Sequence, residues 1–398
     1  MSLRVLMVIH TEWSRNLGGP QAQMEIAGEL TALGDRVEKL SFEDAFPPAP
    51  PARPGSLLRL RDFLRANRSF AARARDYVRA HGHRFDVIDA NQTDLPFSKA
   101  DLGFSGLLVA RSVGLIPAYD EFERWAARRW PEPFSARRLV HRALTLPGHH
   151  RRLRDVERSF RHADLVNVSN RDDLETVGRT MGFDGKVVMF PFGLTDARRE
   201  ALGSARAGVA ERVAARTVAF IGAWNSRKGS RDWPEIVRRV RERVADARFL
   251  FLGTSQERDR VLAEFAPGDR EAVEVVPRYE SGDLPGLLAP ATVGAFPGYL
   301  EGFGFSVLEK LAAGLPTVTY DAPGPRDTMS LLAVPSMVPA GDTAAFAARV
   351  ADRLTLSPER YGELSEDSLR AASRLCWREI ARETRTAYVQ RLEEVRRP

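Results

Sequence analysis

Short runs of apolar residues alternate along this chain with longer stretches in which apolar positions recur at helical spacing, the mark of alternating strands and helices. Leu3–Ile9 reads as a first strand. A helix is expected from Gln21 to about Leu33, with Met24, Ile26, Ala27 and Leu30 on its buried face and Gly34 as its stop. Val37–Phe42 returns as a second strand, so the chain opens as a βαβ unit. Pro47–Pro54 is too rich in proline to be anything but a loop. Ser56–Ala80 has helical periodicity through Leu57, Leu60, Phe63, Leu64, Phe70 and Tyr77. Phe85–Ala90, Leu107–Ala110, Asp164–Ser169 and Val187–Phe190 are further strands, with a helix at Asp172–Met181. Pro191-Phe192-Gly193 then opens what reads as a polar linker of weak structure, and a domain boundary is placed near residue 195.

The pattern starts again after that linker. Thr217–Trp224 is a strand, followed by the turn Asn225-Ser226-Arg227-Lys228-Gly229 and a helix over Arg231–Val244. Arg248–Gly253, Val273–Val276 and Thr292–Phe296 are strands, with a short helix at Asp283–Leu288. Strands alternating with helices of this length predict a second parallel, doubly wound sheet. The tail from Glu366 to Glu394 is amphipathic, through Leu369, Leu375, Trp377, Ile380, Tyr388, Val389 and Leu392.

Most of the candidate chemistry lies between Gly298 and Gly314, GYLEGFGFSVLEKLAAG. A buried strand runs into a turn containing Gly302 and Gly304, and a helix follows with Val307, Leu308 and Leu311 as its apolar positions. The first amides of a helix lack partners and carry partial positive charge, so such a turn binds anions. Glycine keeps side chains away from those amides. Glu301 precedes the turn and Glu309 follows about two helical turns on, at ~3.6 residues per turn. A carboxylate accepts two hydroxyl hydrogen bonds at once, which suits a polyhydroxylated ligand.

The sequence Glu301-Gly-Phe-Gly-Phe-Ser-Val-Leu-Glu309, continuing Lys-Leu-Ala-Ala-Gly-Leu-Pro, resembles the Glu-x7-Glu motif of retaining GT-B glycosyltransferases, family 4. The resemblance implies two Rossmann-like doubly wound domains facing each other over a cleft. Residues 1–195 would take the acceptor side and 196–374 the nucleotide-sugar side, with a last helix, about 375–398, packed back on the first domain. It implies that Glu301 contacts the transferred sugar and that Glu309 binds the donor ribose. The amides of Gly302, Phe303, Gly304, Phe305 and Ser306 would hold sugar and phosphate oxygens. The Ser-Arg-Lys-Gly turn resembles the family's pyrophosphate clamp, and Lys228 matches its lysine. The family's usual arginine falls at Ala223, so Arg227 is the expected substitute. Arg278, beside Tyr279, ends a strand where the family reads the nucleobase, and Gly18-Gly19 lie where the backbone approaches donor or acceptor. The family often carries a histidine where this chain has Val113, with His10 as a substitute. Two other readings of the same fold are a nucleotide-sugar epimerase and a binding subunit without catalysis, the latter favoured by Val113 and Ala223.

Composition narrows the class. The 398 residues suffice for two domains with full cores. The chain is 43% hydrophobic and 28% charged, ordinary for a globular protein, and no apolar stretch reaches the ~18 residues of a membrane helix. One cysteine, Cys376, excludes internal disulfides and fits a reducing, bacterial cytoplasm. The net charge of +6 favours anionic partners. No nucleic-acid motif is present. Arg128, Arg129, Arg137, Arg138, Arg142 and the run His149-His150-Arg151-Arg152 stand among Trp125, Trp130, Phe134, Leu139, Leu144 and Leu146. That region predicts solvated amphipathic helices with, at most, peripheral contact with an anionic membrane or acceptor. No Asp-x-Asp occurs, so neither a catalytic metal nor a bound cofactor is expected beyond the sugar nucleotide itself.

Overall fold

The computed structural model describes residues 2–14, 18–46, 57–131 and 136–397. The Pro47–Pro54 loop, Phe134 and the middle of the loop after the first strand lie outside them. The chain forms two compact units. The first comprises residues up to Ser169, Asp173–Phe190 and the C-terminal helix from Arg378; the second comprises Asn170–Asp172 and Pro191–Trp377.

The first unit is built on β1 (Arg4–Val8), β2 (Arg36–Leu40), β3 (Val87–Asn91), β4 (Leu107–Arg111), β5 (Leu165–Val168) and β6 (Val187–Met189). They lie in the order β2-β1-β3-β4-β5-β6, all parallel. The second unit repeats the plan with β7 (Thr217–Ile221), β8 (Arg248–Leu252), β9 (Val273–Val276), β10 (Val293–Phe296), β11 (Thr317–Asp321) and β12 (Met337–Pro339). Their order is β12-β11-β10-β7-β8-β9, again all parallel. Parallel strands need helical crossovers, which cover both faces of a sheet. Val5, Leu6 and Val8 of β1, and Val218, Ala219 and Phe220 of β7, are accordingly buried without alternation. Among the described residues no helix is long and apolar enough to cross a membrane.

Several boundaries depart from the sequence pattern. The first helix spans Gly18–Ala32, beginning before Gln21. Pro20 is tolerated because the first turn needs no N–H donor there. The expected linker after residue 195 is instead two helices, Asp196–Ser204 and Val209–Ala215. The hydroxyl of Thr195 caps the former by accepting from the Arg198 amide at 3.2 Å. The helix begun at Arg171–Glu175 widens into a π turn over Thr176–Thr180. The amphipathic tail is two helices, Pro358–Ser373 and Trp377–Arg396. At the break between them the backbone bridges Leu194: its N–H donates to Leu375 at 3.0 Å, and Trp377 donates back to its carbonyl at 3.3 Å.

The C-terminal helix is fastened to the first sheet by buried charge. Arg111, at the end of β4, donates to Asp89 of β3 at 2.6 Å and to the Tyr388 hydroxyl at 2.9 Å, and that hydroxyl donates to Asp89. All three side chains are buried. Further out, Arg385 reaches Asp35 at 2.9 Å and Arg396 reaches Asp86 at 2.8 Å. Removing one partner of a buried pair leaves the other charge unpaid, typically at about 3–5 kcal/mol. Arg111→Leu is therefore expected to lower stability by about that amount in urea unfolding followed by Tyr and Trp fluorescence; a shift no larger than a surface substitution gives would show the network to be dispensable.

Candidate functional site

Each sheet reverses direction once. In the first, β2 lies on one side of β1 and β3 on the other; in the second, β8 lies on one side of β7 and β10 on the other. Ligands of open parallel sheets enter at the carboxyl ends of the strands flanking such a reversal. In the second unit those strands are β7 and β10, and the loops that leave them are the two stretches the sequence singles out.

The loop after β7 is shaped around Lys228. A Cβ on Gly222 would lie 2.7 Å from the lysine Cδ, so glycine lets the stem fold back over the strand end. Asn225 closes the turn, its Oδ1 accepting from the Lys228 amide at 3.1 Å. Gly229 ends it at φ +83°, where a Cβ would stand 2.1 Å from the Pro297 carbonyl oxygen. The neighbouring loop is joined to it: the Tyr299 amide donates to the Arg227 carbonyl at 2.8 Å.

Glu301 receives both cations. Arg227 Nη1 lies 2.6 Å from its Oε1 and Lys228 Nζ 3.0 Å from the same oxygen. Arg227 also donates to the Leu300 carbonyl at 2.8 Å. Burial pushes the Glu301 carboxyl up, but Lys228 and Arg227 outweigh it and hold the group below the usual carboxylate range. Past Glu301 the chain turns through Gly304, at φ +92°, into the helix Phe305–Ala312. The backbone N–H groups of Phe303, Gly304, Phe305 and Ser306 donate to no acceptor among the described residues. The Ser306 hydroxyl is likewise buried without a partner. The rings of Phe303 and Phe305 pack against Phe192, and Phe192 also stacks on Trp377. The turn therefore presents backbone donors on one side and is braced by aromatics on the other.

Glu309 does not stand open to solvent. Arg198, from the helix that replaced the expected linker, donates to it at 2.8 Å. Burial, with the charge of Glu309, raises the Tyr279 phenol far above its ordinary value. Arg278, the residue expected near a base, is exposed beside Tyr279. In the first unit Gly18 and Gly19 form the first turn of their helix, and a Cβ on Gly19 would meet Val113 at 3.2 Å. His10 leaves β1 at that sheet's reversal. Its amide donates to Asp94 at 2.9 Å and its Nδ1 lies 2.7 Å from the other Asp94 oxygen. Asp94 raises the imidazole pKa against burial and the charge of Arg152. The pair has the form of a base held by an orienting carboxylate.

Sequence reasoning missed Arg198, Asp94 and Lys310. Lys310 has no solvent exposure. Its Nζ donates to the Ala295 carbonyl at 3.3 Å and stands 5.2 Å from the centre of the Phe296 ring. Lys228 stands 5.5 Å from that same ring. Gly294 makes room for the stem, since a Cβ there would lie 3.0 Å from the Lys310 Cδ. Burial lowers the Lys310 pKa to about 7, helped by the like charge of Lys228 and opposed by Glu309 and Glu301. Its spacing three residues after the buried Val307 was the available sign that it points inward.

Residues 215–355 match the family model described as Glycosyl transferases group 1. The chain carries a glycosyl transferases group 1 domain. That domain holds Arg227, Lys228, Glu301, Glu309 and Lys310, whereas Arg198 lies before it. The chain is 28% identical over 222 residues to the 2-deoxystreptamine N-acetyl-D-glucosaminyltransferase of Streptomyces fradiae, covering 52% of this chain and 51% of the other. The match thus spans about half the length of that curated relative. Among solved structures, the sucrose-phosphate synthase of Thermosynechococcus elongatus aligns with a TM-score of 0.68 at 17% identity, over 97% of this chain and 98% of that one. The Anabaena protein HepE, solved with UDP and glucose, aligns with a TM-score of 0.65 at 14% identity, over 98% and 100%. The fold is that of the GT-B glycosyltransferases.

The buried lysine of the group 1 domain gives a pH signature. Its value is about 7 in the folded protein against an ordinary 10.5. Between those values the unfolded chain holds a proton that the folded chain lacks, so this group makes stability rise with pH from about 7 to 10.5. Below that window the cost of burying the charge is fully present. Lys310→Met should therefore melt above the parent protein at pH 6 and lose that advantage by pH 10. Thermal midpoints across this range check it, and a gap constant with pH would contradict it.

Proposed function

We propose that this protein is a glycosyltransferase of the retaining GT-B family 4 type, moving a glycosyl group from a nucleotide diphosphate sugar to an acceptor. The observation that carries the reading is the convergence of Arg227 and Lys228 on Glu301, beside a helix start where the N–H groups of Phe303 to Ser306 donate to no acceptor among the described residues. A departing diphosphate needs fixed positive charge where its own negative charge grows, and two cations with oriented amides supply it in a partly buried site. Lys228 and Arg227 stabilise the leaving group. The amides of Gly302, Phe303, Gly304, Phe305 and Ser306 hold phosphate and sugar oxygens. Glu301 positions the sugar while keeping both cations aimed, and Glu309, oriented by Arg198, takes the ribose hydroxyls. Tyr279 and Arg278 border the base. Two of the similar proteins support a nucleotide-sugar donor: HepE was solved with UDP and with UDP-glucose, and the Streptomyces relative is named for N-acetylglucosamine transfer.

The acceptor belongs to the first unit in this reading, at the carboxyl ends of β1 and β3, where His10 and Asp94 meet and Gly18-Gly19 lie close by. The acceptor is a glycan, a glycolipid or a small natural product, and the arginine-rich helix that ends at His162 favours an anionic one or peripheral contact with an anionic membrane. Catalysis proceeds without a metal, in the cytoplasm.

Lys228→Ala and Glu309→Ala should each lose at least ~2 kcal/mol of transition-state binding, about thirtyfold in kcat/KM. Release of nucleoside diphosphate from a sugar-nucleotide panel measures this, and unchanged turnover in either variant removes its role. In the same assay EDTA should leave the rate intact; loss restored by manganese would refute metal-free transfer. A new sugar nucleotide formed from donor alone, with no diphosphate released, would indicate an epimerase instead.

A further inference from the structure

The chain holds 59 basic residues other than histidine, and five of them are lysine: Lys39, Lys99, Lys186, Lys228 and Lys310. Everywhere else positive charge is arginine, which keeps its proton under all conditions. Two of the five lysines stand at one phenylalanine ring at the candidate donor site. Lysine is the cation that loses its proton on burial, so its use at this spot gives something that arginine would not.

The surroundings of Lys310 do not satisfy an ammonium. Among the described residues its three N–H donors face one hydrogen-bond acceptor, the Ala295 carbonyl, at the long distance of 3.3 Å. The charged groups that act on it from the elements around it are Lys228 after β7, Glu301 after β10 and Glu309 on its own helix. Both carboxylates are already engaged, Glu301 by Arg227 and Lys228 and Glu309 by Arg198. Three cations against two carboxylates leave the empty site with one surplus positive charge, and an added charge on Lys310 makes it two. A nucleotide diphosphate sugar brings two negative charges, which turns the surplus into a deficit of one. A proton on Lys310 closes that deficit.

Resting on the donor-site reading above, we propose that Lys310 is a positioning residue that takes up a proton when the diphosphate of the donor binds. In the empty protein above neutral pH it is a neutral amine packed between Gly294 and Phe296. The incoming charge raises its proton affinity, and the amine takes a proton from solvent to become the ammonium. Its fourth positive charge then stands beneath the diphosphate through the transfer step and is released with the product. The burial of Lys310 and the like charge of Lys228 keep its unliganded value near neutral, within reach of such a response.

The test is binding-linked proton uptake. The tightest ligand among UDP-glucose, ADP-glucose and GDP-mannose is titrated calorimetrically at pH 8 in Tris and in HEPES, whose ionisation heats differ. These sugar nucleotides carry no phosphate that titrates near neutral pH, so uptake reports the protein. The parent protein should take up a large part of one proton per ligand bound, and Lys310→Met should still bind but take up none. At pH 6, where Lys310 already holds its proton, uptake in the parent protein should vanish; this second measurement needs no variant. Equal heats in both buffers at pH 8, or undiminished uptake in Lys310→Met, overturns the role of Lys310 and leaves the donor site standing. Failure of all three sugar nucleotides to bind overturns the donor-site reading and this inference with it.

Discussion

The arrangement of the second unit depends on one shared carboxylate oxygen. Glu301 Oε1 holds Arg227 at 2.6 Å and Lys228 at 3.0 Å, and so ties the loop after β7 to the loop after β10. Without it, two like charges at adjacent positions would repel each other and swing toward water. With it, both point the same way, beside the amides that begin the helix at Phe305. A carboxylate kept ionised against burial by its partners is costly to build and rigid once built. For the proposed function that rigidity suits a leaving-group site, since dipoles and charges set in advance cost nothing to reorganise during transfer.

Glycine makes this geometry possible at a few positions only. Gly222 lets the lysine stem pass, Gly229 lets the turn approach Pro297, and Gly294 admits the stem of Lys310 beneath the sheet's end. Each clears a path for one particular neighbour. The same economy appears in the first unit, where Gly19 makes room for Val113 and brings the loop after β4 against the helix that follows β1.

Ten of the twelve strands, β1 to β10 in chain order, and the Glu301–Glu309 stretch were legible in the sequence, whereas β11 and β12 were not read from it. Continuous apolar runs in parallel strands leave little ambiguity, and a glycine turn between a strand and a helix has few structural uses. The rest was hidden for physical reasons. The helix Asp196–Ser204 follows a Pro-Phe-Gly run that reads as a break, so its Thr195 cap and the partnership of Arg198 with Glu309 were passed over. A lysine reads as solvent-facing by default, and Lys310 is buried only because Gly294, far away in sequence, clears its path. Asp94 joins His10 through the topology of the first sheet, which local pattern does not encode. The tail was read as one amphipathic segment because the break at Cys376 is made by pairing with Leu194 and not by proline or glycine.

Phe192 lies just after the chain enters the second unit and Trp377 just before it leaves, and their rings stack at 5.7 Å between centroids. Phe303 and Phe305 rest on the same ring at 5.3 and 5.4 Å. The two ends of the long segment Pro191–Trp377 of the second unit are thus the footing of the loop that would hold the sugar nucleotide. On the proposed reading, substitutions at Phe192 or Trp377 would shift the donor loop from behind, so donor affinity could change with no change among the residues proposed to touch the donor.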